Sequence, residues 1–424
     1  MADLAISSPA TRHEPLTAAD GTPLKTALAR ANRRARIRAF LLVLPLLLFV
    51  IVTFAFPIGQ MLYRSLYNDA FSAHMPNLVA YFSQNPGSGV PGEEGFTALV
   101  EDLKLASEQR TIGVVGTRVN YEVSGTRSLF TSAGRKAKRL EPPFKEAVLD
   151  LDEDWNDPEL WGVMRRAASP HTMNFYLAAM DLQYDAEGSV IRAPEDRRIY
   201  GPLFLRTLWL SALISALCLV LAFPIAYLLA NLPLRYSNLL MIFVLLPFWT
   251  SLLVRTTSWM VLLQSQGVVN DLLVAAGIIG NDGRIQMMYN QIGTIVAMTH
   301  ILLPFMVLPL YSVMKTIPPS YVRAARSLGA TPWTAFWQVY FPQTVPGIGA
   351  GILLVFILAI GYYITPALVG GSSGQLISNL IAFHMQKSLN WSLAAALGAL
   401  LLLGVIVLYW LYDRLIGIDN MKLG

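Results

Sequence analysis

The sequence predicts an all-α polytopic membrane protein with six spans and one polar α+β insert between the first two. Three observations carry this. The 424 residues are 54% hydrophobic and only 14% charged, where a soluble chain carries about a quarter charged residues. The apolar residues cluster in runs near the roughly 20 needed to cross about 30 Å of hydrocarbon. A single long polar stretch separates the first run from the other five.

The first 23 residues are polar, contain Pro9, Pro15 and Pro23, and lack an apolar core, so they read as a disordered opening and not as a signal peptide. LKTALARANRRARIRAF follows, a basic and weakly amphipathic segment. Its arginines either rest on an anionic leaflet or simply fix topology. Residues 1–38 are thus expected to form a cytoplasmic tail.

The spans are expected at Ala39–Leu62, Thr207–Ala230, Leu239–Leu262, Met288–Met314, Val345–Val369 and Trp391–Leu411. Pro45, Pro57, Pro224, Pro247, Pro304, Pro309 and Pro366 lie inside them. Neighbouring helices can satisfy the carbonyls that proline frees, so these spans read as kinked helices lining a path. Cys218, the sole cysteine, lies in an apolar run and reads as a buried packing residue.

Orientation follows from Lys and Arg in the short flanks. Arg30, Arg33, Arg34, Arg36 and Arg38 place the N-terminus inside. Six crossings then place Arg235, the loop with Lys315, Arg323 and Arg326, and the tail with Arg414 and Lys422 inside as well. Gly267–Met287 and Gly370–Asn390 fall outside.

The first span is assigned to 39–66, the insert to 67–206 and a five-span core to 207–424. The insert holds 20 of the 27 acidic residues and 15 of the 32 basic ones. It is therefore net acidic, and the remainder is strongly basic. Long loops translocate largely regardless of charge, so GRKAKR (Gly134–Arg139) does not argue for an inside location. QNPGSGVPGEEG reads as a loop, and GVVGTRVNYEVSGTRSLF as two strands turning near Ser124-Gly125. PPFKEAVLDLDEDW and PHTMNFYLAAMDL read as short helices. The result is a small extracytoplasmic α+β module.

The most informative stretch is SYVRAARSLGATPWTAFWQVYFP, Ser320–Pro342, within the loop at 315–344. Ser320 reads as an N-cap and Gly329 as a left-handed terminator. Thr331-Pro332 reads as a second N-cap with proline at the first helical position. Pro342 is expected to stop the second helix. Trp333, Phe336, Trp337 and Tyr340 form a bulky face, either a docking surface or an interfacial aromatic belt.

Arg323-Ala324-Ala325, then three residues, Gly329, nine residues and Val339-Tyr340-Phe341-Pro342 resembles the EAA loop of ABC importer permeases. LPFWTSLLVRTTSWMVLL, HILLPFMVLPLY and GILLVFILAIGYYITPALVGG are similar to the spermidine/putrescine permease subfamily, and the likeness covers nearly all the chain outside the insert and the first 35 residues. The resemblance implies a six-span type I ABC importer permease fold. It also implies a second permease, two cytoplasmic ATPases that use ATP and Mg, and an extracytoplasmic solute-binding protein. Arg323, Ala324, Ala325, Ser327, Gly329, Trp333 and Pro342 would form the ATPase-coupling loop. Arg323 departs from the family pattern, which has Glu. A cation near a helix N-terminus is unfavourable by roughly 0.3–1 kcal/mol, so the partner ATPase is expected to carry a compensating acidic residue.

No Asp or Glu lies inside a predicted span. Arg255 is embedded in the third span and is a candidate for the translocation path, where it would favour solutes with a carboxylate. Outward snorkelling or local pairing is the alternative. His300 is either a ligand or a hydrogen-bonded packing residue. Trp249, Trp259, Tyr362 and Tyr363 either present aromatic faces to an ammonium group or pack. Gly361 is expected to allow close helix approach.

No phosphate loop, metal-ligand spacing or nucleophile elbow is present, so neither catalysis nor a cofactor or metal is expected in this chain. The basic balance is explained by inside-facing arginines and membrane lipid, not nucleic acid. A multi-pass protein of the bacterial plasma (inner) membrane follows. Two rivals stay open: a membrane receptor that senses ligand with the insert, and a secondary carrier. The dozen residues after the last span leave the first without an output domain, and the lack of intramembrane carboxylates weighs against the second.

Overall fold

The structure, a computed structural model, describes residues 24–185 and 187–416. The predicted polar opening and Lys422 lie outside the described residues, as does the side chain of Arg30. Among the described residues, five helices are long and apolar enough to cross a membrane, and a bent pair makes a sixth candidate.

The first unit of the fold is the helix that begins at Leu24 and reaches Leu66, apolar enough to span from Asn32. One π-turn, Ile51–Ala55, interrupts it two residues before Pro57. Proline removes an N–H and its ring presses on the carbonyl four residues back, so a locally widened turn absorbs the misfit without ending the helix.

The same solution recurs at the cassette. A π-turn at Phe336–Tyr340 precedes Pro342, and the helix runs unbroken from Pro332 to Gly361. Pro342 therefore does not stop the second cassette helix, which is instead the cytoplasm-facing start of the fifth span in the predicted topology. Gly361, expected at a close helix approach, has open space around it. The close approach is made at Gly347 and Gly351. A Cβ on Gly347 would sit 3.0 Å from Val313 Cβ, and one on Gly351 would sit 2.5 Å from Met306 Sδ.

The second span is Tyr200–Asn231 and the fourth is Gln291–Thr316, and these pack with the fifth as the core of the membrane region. Leu210, Ile214, Cys218, Ala222 and Ala226 recur every four residues on the second span, facing Met298, Leu302 and Met306 of the fourth. Small side chains along that stripe let the backbones approach closely. Cys218 is buried there, as its position in an apolar run predicts, with Sγ 3.5 Å from the Thr299 carbonyl. The sixth span is Trp391–Arg414.

The third span is not one helix. Leu234–Trp249 and Leu252–Leu262 meet at 97°. Pro247 begins the breakdown, Thr250 and Ser251 are extended, and Ser251 Oγ accepts from the Val254 amide at 3.2 Å. Ser251 is thus the N-cap of a new helix. The fifth span also ends sooner than Val369. Tyr362 is extended, and a short helix, Ile364–Val369, follows.

Among its described residues the insert is helical, apart from one hairpin pairing Leu182–Tyr184 with Val190–Arg192 and an isolated bridge between Tyr67 and His171. The two strands predicted in GVVGTRVNYEVSGTRSLF are helices, Ile112–Asn120 and Thr126–Lys136, joined through Gly125 at φ 90°. β-Branched residues signal strand only weakly. Here Val115 and Val119, like Leu129, Phe130 and Ala133, bury one helical face in a core with Phe96, Trp155 and Trp161. The predicted short helices form at Phe144–Leu149 and Asn174–Ala179. Asp102 is wholly buried and accepts from both nitrogens of Asn77 and the amide of Leu78, fixing the start of the helix Pro76–Gln84.

The insert is anchored to the membrane core by specific bonds. Asp181 accepts from the amides of Ile199, Tyr200 and Gly201 at 2.6–3.1 Å, closing the N-terminus of the second span. Asn68 Nδ2 donates to Ser392 Oγ at 3.0 Å, and Phe175 packs with Leu393 and Leu397 of the sixth span.

Candidate functional site: a rigid apolar loop and a break beside Arg255

The cassette opens with the helix Pro319–Ser327. Its N-cap is Pro318, so Ser320 lies in the first turn and does not cap it. The helix ends as its sequence predicts. Gly329 has φ 95°, its amide donates to the Arg326 carbonyl at 3.0 Å, and the Ala330 amide donates to the Ala325 carbonyl at 3.1 Å. That pair of bonds is a Schellman closure. Thr331 Oγ1 then accepts from the Thr334 amide at 3.2 Å, with Pro332 first in the next helix. The chain reverses within a few residues, both helix ends satisfied.

The bulky face divides in two. Phe336 and Tyr340 turn inward and meet Tyr227 of the second span, with ring centroids 6.0 and 5.4 Å away. Lys315 Nζ donates to the Ala230 carbonyl at 3.2 Å beside them. The loop is therefore held to the second span as well as being continuous with the fifth. Trp333 and Leu328 point outward, 71% and 90% exposed, with Tyr321 and Trp337 beside them. Arg323, Ala324 and Pro342 are exposed, Ala325 is half-buried, and Ser327 Oγ donates to the Arg323 carbonyl at 3.0 Å. No acidic residue occurs anywhere in 315–344.

Four of the six predicted path residues come together. Trp259 Nε1 donates to His300 Nδ1 at 3.1 Å. Arg255, one helical turn before Trp259, and Tyr362, where the fifth span unwinds, lie beside this pair. Its Nε and Nη1 are buried and have no hydrogen-bond partner among the described residues. Trp249 does not join them: it is 77% exposed, at the end of the first half of the broken third span. Tyr363 is also exposed, and contributes its backbone, its carbonyl accepting from Asn379 Nδ2 at 2.7 Å.

Sequence reasoning missed the residues that hold this region open. Ser378 Oγ donates to the Tyr362 carbonyl at 2.6 Å, so Ser378 and Asn379 satisfy the two acceptors freed where the fifth span unwinds. Thr256 and Thr365, both fully buried, bond hydroxyl to hydroxyl at 3.1 Å and join the second half of the third span to the short helix after the break. The signal was present: two hydroxyl residues at the centre of apolar runs need partners when buried. Non-helical backbone at membrane depth persists only where protein buries it or water lines it.

A bundle with two broken helices, a polar cluster at the breaks and a rigid loop with an exposed apolar face defines a multi-pass membrane transport subunit. Residues 218–416 match the family model for the binding-protein-dependent transport system inner membrane component. The spermidine/putrescine transport system permease protein PotB of Escherichia coli (strain K12) is 37% identical over 226 residues, 52% of this chain and 82% of that protein. PotB of Haemophilus influenzae is 33% identical over 228 residues, 53% of this chain and 79% of that protein. A bacterial alginate ABC transporter bound to a periplasmic protein gives a TM-score of 0.41 at 19% identity, over 52% of this chain and 81% of that chain.

The chain belongs to the binding-protein-dependent inner-membrane permease family, close to the PotB subfamily. It is a multi-pass inner-membrane subunit of an ABC importer. Its relatives are transport permease subunits, not enzymes.

Proposed function

We propose that this chain is the permease subunit of an ATP-driven importer of polyamines or related small nitrogenous solutes, coupled through Ser320–Pro342 to a separate ATPase. The observation that carries the coupling is the cassette itself. An apolar, outward-facing surface on a stiff loop, braced to two spans, is suited to receive force from a partner. A flexible loop would absorb it.

In this reading the N-terminus, cassette and C-terminal tail face the cytoplasm. The ion pair of Arg284 with Asp271, at 2.8 Å, supports an outer location for 267–287, because it neutralises the cation that would otherwise argue for the inside. The insert at 67–206 then lies outside. Its bonds to the second and sixth spans suit contact with the solute-binding protein, since a load on the insert reaches the bundle directly. A second permease completes the path, and two ATPases bind ATP and Mg. The polyamine class rests on the similarity to PotB, and the Trp259 and Tyr362 rings would supply faces for an ammonium group.

Uptake of spermidine and putrescine into proteoliposomes holding the full complex and its binding protein tests this. ATP-dependent accumulation is expected, and accumulation without ATP would overturn it. Arg323→Glu is expected to weaken solute-stimulated ATP hydrolysis if the ATPase presents an acidic group there. Improved coupling would count against that matched charge.

A further inference from the structure

We infer that the half-buried guanidinium of Arg255 is completed by a carboxylate from outside this chain, supplied either by the neighbouring permease or by the transported solute. The inference deepens the importer reading and rests on it for the presence of those two neighbours.

The helix Leu252–Leu262 places Arg255 in its first turn, directly after the break at Thr250-Ser251. Its Nε and Nη1 are shielded from solvent and unpaired among the described residues, while the side chain as a whole is half-buried and so remains reachable from outside this chain. The groups around it cannot neutralise it. His300 gives its Nδ1 to the Trp259 indole, Tyr362 is a phenol, and the Thr256 hydroxyl is engaged with Thr365. No Asp or Glu lies in the helices 200–262, 291–316 or 332–361 that make up this region.

A half-buried cation at membrane depth without a counter-charge is costly, and arginine does not escape by losing its proton. The first turn of a helix makes this worse, because the macrodipole is positive there. Both penalties reverse sign for an anion brought to the same place. A guanidinium also presents paired N–H donors that match a carboxylate edge. The broken backbone at Tyr362-Tyr363 places this donor set beside the part of the bundle where a path is expected.

The thermal stability of the purified full complex tests the inference through Arg255→Met, which removes the charge and keeps much of the length. If no carboxylate reaches Arg255, the substitution relieves an uncompensated cation at membrane depth, Tm stays level or rises, and any protection by 4-aminobutyrate is retained; that result overturns the inference. If the neighbouring permease supplies the carboxylate, Tm falls by several degrees without solute, and Arg255→Lys falls less. A solute-borne carboxylate predicts instead a level or raised Tm without solute, together with loss of the protection given by a carboxylate-bearing amine such as 4-aminobutyrate, but not by putrescine.

Should Arg255→Met fail to assemble, Arg255→Lys and Arg255→Gln are compared in transport. Equal uptake of both amines, with wild-type Tm, would again overturn the inference. Failure of wild-type complex to transport any amine would refute the importer reading, yet leave the sign of the Tm change informative.

Discussion

The Trp259 indole donates to Nδ1 of His300 across 3.1 Å, and so ties the second half of the broken third span to the fourth. An indole nitrogen can only donate, so Nδ1 is the unprotonated nitrogen of that ring. Trp259→Phe keeps the packing and leaves a half-buried acceptor unpaired. It should lower stability by about 1–3 kcal/mol, seen as a drop in Tm in detergent. His300→Phe should cost a similar amount, and the double variant should cost less than the two singles combined. Strict additivity would mean that the bond contributes little.

Glycine substitutions should separate two kinds of close approach. A Cβ on Gly293 would meet the Met287 carbonyl at 2.6 Å and the Val369 carbonyl at 3.0 Å, both backbone. On Gly351 it would meet the Met306 sulfur, the end of a flexible side chain. Gly293→Ala should therefore destabilise by roughly 1–3 kcal/mol and Gly351→Ala by less. Thermal unfolding of the two variants side by side measures the difference.

Asp102 gives the insert a pH dependence of defined sign. Burial raises its carboxyl pKa to about 6, although three N–H groups of Asn77 and Leu78 pull the other way. The folded state then holds the proton more tightly than the unfolded chain, whose carboxyl titrates near 4. Stability from this group is fully present below about pH 4 and is lost as pH rises through 6. The difference in Tm between wild type and Asp102→Asn should shift between pH 4.5 and 7.5, with wild type gaining on acidification. A difference independent of pH would contradict the assignment.

The anchoring of the insert depends on Asp181. Asp181→Ala leaves the amides of Ile199, Tyr200 and Gly201 without their acceptor, and should cost about 0.5–2 kcal/mol. Asp181→Asn should retain much of that. Proteolytic sensitivity around 193–201, compared across the three proteins, reports the same loss locally.

Much of this fold was legible, because the bilayer demands long apolar runs and the cassette has strong local punctuation. Gly329, Thr331 and Pro332 act through their own backbones and neighbours, so their roles follow from sequence. Pro342 misled because a π-turn can absorb a proline, and nothing in FWQVYFP marks that choice. The breaks at Thr250-Ser251 and Tyr362-Tyr363 were hidden inside hydrophobic stretches. Their stability comes from Ser378, Asn379 and the Thr256–Thr365 pair, and the partners in these pairs are up to 109 residues apart. The Val-rich segment 114–123 read as strand because its burial partners, Trp155 and Trp161, are set by tertiary packing. At the site, Arg255, Trp259, His300 and Tyr362 were all named from sequence, whereas the position of Trp249 depended on a bend that sequence did not reveal.

Trp333→Ala offers the most direct test of the coupling role. Trp333 is largely exposed, so its removal should change stability by no more than about 0.5 kcal/mol. If the outward face of the cassette is the surface through which an ATPase drives this permease, the variant should assemble in the membrane with an unchanged Tm. It should also lose most ATP-dependent solute uptake in proteoliposomes containing the full complex. Wild-type uptake by Trp333→Ala, joined by Leu328→Ala, would contradict that role.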